Sequence, residues 1–126
     1  MPASASDRAA TVGAVAGLLL AAGPCLAQDV AKGSDVFQSR CSQCHVLSGV
    51  GQGPSLIGVV GRRAAALPGY PYSDALKASG LTWTPANLDA FVQGPTNLVP
   101  GTAMRVVVSD PNDRRDLIAY LATLKR

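Results

Sequence analysis

Histidine occurs once in this chain of 126 residues, at position 45, and methionine twice, at positions 1 and 104. Cysteine is nearly as scarce, at positions 25, 41 and 44. A structural zinc site needs a closed set of Cys and His ligands, and no second His or second cysteine pair exists to complete one around Cys41 and Cys44. A thioredoxin-like dithiol stands in a βαβ pattern, and no such alternation surrounds these cysteines. There is no internal repeat, and the length leaves room for one small domain. Basic residues outnumber acidic ones, 11 to 8, yet they come in short pairs: Arg62-Arg63, Arg114-Arg115 and Lys125-Arg126. No Lys/Arg stripe supports a nucleic-acid role, and the pairs read as solvating surface charges.

Against that scarcity stands Cys41-Ser42-Gln43-Cys44-His45, a C-x-x-C-H run. Its spacing suits covalent attachment of a c-type haem. Two thiols separated by two residues match the two vinyl groups of one porphyrin edge, and the adjoining imidazole falls under the iron. His45, as the sole histidine, is the proximal ligand or there is none, and bis-His ligation within the chain is excluded. Met1 is an initiator, so Met104 is the candidate sixth ligand. It follows a Pro100-Gly101 turn rather than lying on an apolar helical stripe. The alternatives are a methionine that merely fills the core, or Lys32, Lys77 or Lys125, whose amines would first have to lose a proton. With no second C-x-x-C-H, one haem is expected.

The N-terminus carries the longest apolar run. Arg8 supplies a positive region, Val12 to Ala22 an apolar one, Gly23-Pro24 a break, and Cys25-Leu26-Ala27 a small-x-small cleavage site. A secretory signal peptide over residues 1–27 and a domain over 28–126 are expected. The competing reading is an uncleaved anchor, but the run is near the lower limit for a span and is interrupted by Gly23-Pro24. Pro24 also fits poorly with a lipid-attachment box at Cys25. Cleavage removes the odd cysteine and leaves the haem pair. The absence of paired arginines before the apolar run points to export of an unfolded chain, which suits haem attachment outside the cytoplasm. Asp7 and Arg8 leave together, so the mature chain keeps the formal charge of +3, and two ionised propionates bring this to about +1.

Short helices joined by long loops make up the rest. Asp29 caps a first helix with Val30, Gly33 and Phe37 on one face. Ser73 to Ser79 forms a second, closed by Gly80. Thr84 and Pro85 open a third with Leu88, Phe91 and Val92 inward, stopped by Gly94-Pro95. Asp110 and Pro111 open the last, with Leu117, Tyr120, Leu121 and Leu124 as its stripe and Lys125-Arg126 at the negative end of its dipole. Val106 to Val108 alone looks strand-like. Residues 46–72 are rich in Gly and Pro and form a loop longer than a compact domain usually tolerates. A buried porphyrin would supply the core such loops lack.

From about Asp29 to Arg126 the chain resembles a small class I cytochrome c of the bacterial and mitochondrial type. The landmarks are Gly33-x-x-x-Phe37, the C-x-x-C-H run, Gly53-Pro54-Ser55-Leu56, Gly58-Val59-Val60-Gly61-Arg62, Pro68-Gly69-Tyr70-Pro71-Tyr72-Ser73-Asp74, Leu81-Thr82-Trp83, Val99-Pro100-Gly101-Thr102-x-Met104 and Leu117-Ile118-Ala119-Tyr120-Leu121. The resemblance implies an all-α fold, short helices and long loops wrapped around one covalently bound haem. It implies that the Pro54 carbonyl accepts from the proximal histidine. It further implies that Arg62, Tyr72, Trp83 and Thr102 hydrogen-bond the propionates, and that the Gly33/Phe37 face packs across Leu117 and Tyr120. Three departures stand out. Phe91 occupies a position where many relatives have a tyrosine reaching the Met sulfur. Pro95-Thr96-Asn97 and Ala103 replace lysines before the Met. The His45–Pro54 segment is short.

With His45 and Met104 both on iron no site is left for substrate, so the implied function is one-electron transport and not enzymatic. The expected partners are redox proteins: membrane oxidoreductases, oxidases or periplasmic dehydrogenases. No nucleic acid, no stable membrane insertion after cleavage, a monomeric state and a periplasmic location complete the expectation. Two alternatives stay open: a peroxidase-like enzyme or gas sensor with a labile sixth site, and a fixed subunit of a larger dehydrogenase or oxidase.

Overall fold

Side-chain caps decide where the helices begin. Asp29 Oδ1 accepts from the Lys32 N–H at 3.0 Å and opens α1, Val30–Arg40. Ser73 caps α2, Asp74–Ala78, through the Leu76 N–H, and Thr84 caps α3, Pro85–Gln93, through the Asn87 N–H. After Gly94 a single turn, α4, spans Pro95–Leu98. Asp110 accepts from both Asn112 and Asp113 to open α5, Pro111–Thr123. Each cap satisfies N–H groups that the first turn leaves without partners. Proline at the first position of α3 and α5 sacrifices no hydrogen bond, because its N–H would be unused there. The computed structural model describes residues 10–18, 28–49 and 51–125. The expected cleavage boundary at Cys25-Leu26-Ala27, with Arg8 and Gly23-Pro24, lies outside the described residues. Residues 10–18 are irregular and exposed.

α1 crosses α5, and α3 packs on both α4 and α5. The α1–α5 crossing is possible only because position 33 is glycine. A Cβ there would lie 1.9 Å from the Asp116 carbonyl oxygen and 2.8 Å from Tyr120 Cβ. Phe37, four residues on, is 1% exposed and its ring meets Tyr120 at 5.4 Å between centroids. Asp116, 2% exposed, accepts from the Asp29 backbone N–H at 3.0 Å and pairs with Arg115 at 2.8 Å. The N-terminus of α1 is thus tied to the middle of α5 across 87 residues.

Five expectations need correction. Val106 to Val108 is not a strand: the Val108 N–H donates to Val92 O at 2.8 Å, and the only bridge among the described residues joins Arg63 to Thr82. Gly94-Pro95 ends α3, but Pro95 also starts α4, where it is fully buried. α5 ends at Thr123, so Lys125 lies past its last turn. The arginine pairs are not merely solvated. Arg114 is 7% exposed and bonds Asp89, Val108 O and Ser109 O, while Arg62 bonds the Ser55 and Ile57 carbonyls. Val30, expected on the inward face of α1, is 43% exposed. Leu88, Phe91 and Val92 are buried, as their spacing predicts.

Candidate haem site

Where α1 ends, the backbone continues in a tight turn: Ser42 N–H donates to Phe37 O at 2.9 Å and His45 N–H to Cys41 O at 2.8 Å. This turn brings Cys41, Cys44 and His45 to the wall of one cavity of about 400 Å³, within the range of small-molecule and cofactor sites. Pro54, Arg62, Tyr72, Trp83, Thr102 and Met104 line the same cavity. All nine residues singled out in the sequence therefore surround a single space, although they come from six separate stretches of chain. Most of the remaining wall is apolar, with Leu56, Val59, Leu88, Phe91, Val92 and Leu117 among it.

His45 Nδ1 lies 2.8 Å from Pro54 O. A carbonyl can only accept, so Nδ1 carries the proton and Nε2 keeps a lone pair. Burial holds the His45 pKa below its ordinary value, with the Pro54 carbonyl acting in the opposite direction. The neutral, ligating form is favoured. Gly53 makes this ring position possible, since a Cβ there would stand 2.6 to 3.0 Å from three imidazole atoms. Burial also pushes the Cys41 thiol up to about 11, against the opposing charge of Arg40. Cys41 is buried and Cys44 half-buried, with its Sγ 3.5 Å from Gln52 Oε1.

Met104 follows a turn in which Thr102 N–H donates to Val99 O at 3.0 Å and Gly101 has φ +93°. Proline at the second place and a left-handed glycine at the third is type II turn chemistry. The Tyr72 hydroxyl accepts from Leu67 N–H at 3.2 Å, so its own hydrogen is still available to donate. Trp83 and Thr102, 7% and 4% exposed, add an indole N–H and a hydroxyl to the cavity residues. Phe91 packs on Trp83 at 4.9 Å between ring centroids, an apolar contact at the cavity wall.

Sequence reasoning did not assign roles to Gly53, Gln52, Tyr70 or Leu76, which also line the cavity. The Tyr70 hydroxyl donates to the Gln52 carbonyl, closing the loop after His45 against the loop before α2. Only the adjacency of Gly53 to Pro54 hinted at its function. The other three have no local signature.

The family model for cytochrome c matches residues 30–125. The chain belongs to the cytochrome c family. Cytochrome c2 of Rhodomicrobium vannielii is 45% identical over 112 residues, 86% of this chain and 89% of the relative. Cytochrome c of Arabidopsis thaliana is 40% identical over 97 residues, 74% and 87% of the two chains. The solved structure of cytochrome cH from Methylobacterium extorquens superposes with a TM-score of 0.72 at 46% identity, covering 75% of this chain and 98% of the other. As a cytochrome c, the protein carries covalently bound haem c with its iron and serves as an electron carrier, not an enzyme. It exchanges electrons with redox partner proteins. The residues present fit that group. The thiols, imidazole and thioether are the donor types it needs, and Gly53 leaves room for the imidazole plane. No helix among the described residues is long and apolar enough to cross a membrane.

Proposed function

We propose that residues 28–126 act as an exported carrier whose haem is held by Cys41 and Cys44 and ligated by His45 and Met104. When bound, the haem takes up and releases one electron at a time, with Met ligation favouring the reduced iron. The chain's part is to hold, orient and shield. The Pro54 carbonyl keeps the proton of His45 on Nδ1, so Nε2 would be left as the base that holds the iron. Arg62, Tyr72, Trp83 and Thr102 supply donors for the propionates. The apolar wall around Met104 excludes water and favours the less charged, reduced state. Residues 1–27 direct export to the periplasm and are removed. There the monomer shuttles between membrane oxidoreductases and oxidases or periplasmic dehydrogenases, without nucleic acid and without membrane insertion.

The observation that carries this reading is the convergence of two cysteines, a histidine pinned through Nδ1 and a methionine on one apolar cavity. It is tested by optical titration against electrode potential in the wild type and Met104→Ala. The variant's potential should fall, each ~59 mV marking a tenfold change in the one-electron equilibrium, and its ferrous form should bind carbon monoxide more readily. Acid–organic extraction should leave haem on the polypeptide, and the exported protein should begin at Gln28. A wild type that already binds carbon monoxide freely, with Met104→Ala unchanged in spectrum and potential, would return Met104 to a packing role.

A further inference from the structure

The chain on either side of Met104 is anchored, and the two anchors differ in kind. On the near side, the Val99–Thr102 turn rests on α2. Gly101 sits so close to it that a Cβ would lie 3.1 Å from Ala75 Cβ. On the far side, two arginines take three successive carbonyls. Arg40 Nη2 donates to Val107 O at 2.6 Å. Arg114 Nη1 donates to Val108 O at 3.1 Å and to Ser109 O at 2.8 Å, while its Nε pairs with Asp89 of α3 at 2.8 Å. Residues 107–109 are thereby fixed to α1, α3 and α5 together, and Met104 begins three residues upstream of this fixed point.

We propose that Arg40 and Arg114 are positioning residues for Met104. By holding Val107, Val108 and Ser109 they fix the far end of the segment that presents the thioether, and they set how readily an outside ligand displaces it. The inference rests on the reading of Met104 as the sixth iron ligand. Swinging Met104 away from the iron requires slack between Gly101 and the first anchored carbonyl. With Arg40 in place that carbonyl is Val107; without it the anchor retreats to Val108, which Arg114 and the Val108–Val92 hydrogen bond still hold. Arginine suits the task because one planar fork can serve a carboxylate and two carbonyls at once, which a lysine cannot. Arg114 forms buried, charge-assisted bonds, the costly kind to break. Arg40 is exposed and lines the cavity beside Cys41, so it can be replaced without opening the buried core, and Arg40→Lys keeps its charge as the control.

The test is imidazole binding to the ferric haem protein, followed by loss of the far-red absorption band of Met-ligated iron, in wild type, Arg40→Met, Arg40→Lys and Arg114→Lys. Losing one exposed charge-assisted bond should tighten imidazole binding about three- to tenfold in Arg40→Met. Arg40→Lys, which can still donate to Val107 O, should fall between that and wild type. Arg114→Lys leaves Val107 held by Arg40, so it should shift less than Arg40→Met, which carries the decision. Denaturant unfolding of each variant gives global stability separately. If imidazole affinity in Arg40→Met equals that of wild type, the proposal fails, even where overall stability has dropped. If the wild type lacks the Met band, the ligand reading itself fails and takes this inference with it.

Discussion

Gly53 and Ala65 show how much of the site rests on single backbone positions. A methyl group at position 53 would collide with three atoms of the His45 ring. That ring is also held by its Nδ1 hydrogen bond to the Pro54 carbonyl, so it can yield only by straining that bond. Gly53→Ala should cost about 1–3 kcal/mol, the usual range for overpacking a tight site. It should also shift the potential, because the hydrogen bond to Pro54 is stretched or lost. Guanidinium unfolding followed by haem absorbance, with a redox titration, checks both. Ala65 is the reverse case. It lines the cavity and has φ +57°, the only non-glycine at positive φ among the described residues. The left-handed conformation costs an L-residue about 1–2 kcal/mol. Glycine removes that strain but adds about 0.4–1 kcal/mol of unfolded-state entropy. Ala65→Gly should therefore stabilise the protein by a net ~0.5–1 kcal/mol in the same unfolding experiment.

At the scale of elements, the contact between α1 and α5 is the joint most sensitive to acid. The Asp29 backbone N–H, more than any other partner, holds the Asp116 carboxyl below its ordinary pKa, and Arg115 acts in the same direction while burial opposes both. A carboxylate whose pKa is lowered by folding contributes stability above its unfolded pKa and loses it as pH falls through the folded value. The melting temperature should hold steady down to about pH 5 and then fall, and Asp116→Asn should flatten the part of that fall lying below about pH 4. Melting curves of both proteins across this range test it; parallel curves would assign the acid sensitivity to other carboxyls. This joint also marks what a sequence reveals of its elements. Asp29, Ser73, Thr84 and Asp110 are legible as caps because capping is decided within three or four residues. The partner of Asp29 lies 87 residues away and has no local signature. Arg114 reads as a surface charge for the same reason: its burial depends on α3 supplying Asp89 and on the chain after Met104 supplying carbonyls. Val106 to Val108 has the β-branched composition of a strand, but no strand lies beside it among the described residues, and its hydrogen bonds go to a helix and to arginines instead.

The whole molecule is organised around a space that its side chains do not fill. Cys41, Cys44 and His45 stand out in the sequence because haem attachment restricts residue type and spacing, and Met104 because it is the one methionine besides the initiator; all four line the cavity. The loop over residues 46–72 is not legible in this way, because its path is set by what it encloses. Several of its residues, from Pro54 and Leu56 to Tyr70 and Tyr72, line the cavity, and few of its backbone groups are in regular structure. The energetic consequence can be sized. A cavity in a core costs about 24 cal/mol per Å³. Keeping the site of about 400 Å³ open and dry without haem would then cost up to about 10 kcal/mol, comparable with the entire stability of a typical domain, about 5–15 kcal/mol. Helices as short as α1 and α5, 11 and 13 residues, are marginal in water without a packed face. The haem-free chain cannot meet that cost, so it should collapse the site or unfold. Cys41→Ala/Cys44→Ala protein, purified without haem, should lose near-ultraviolet circular dichroism and show no cooperative thermal transition, while the haem protein melts in a single step. A cooperative melt in the haem-free variant would mean that the α1–α5 joint and the buried Trp83–Phe91 pair suffice to hold the fold, and that the loops wrap a core able to stand without the porphyrin.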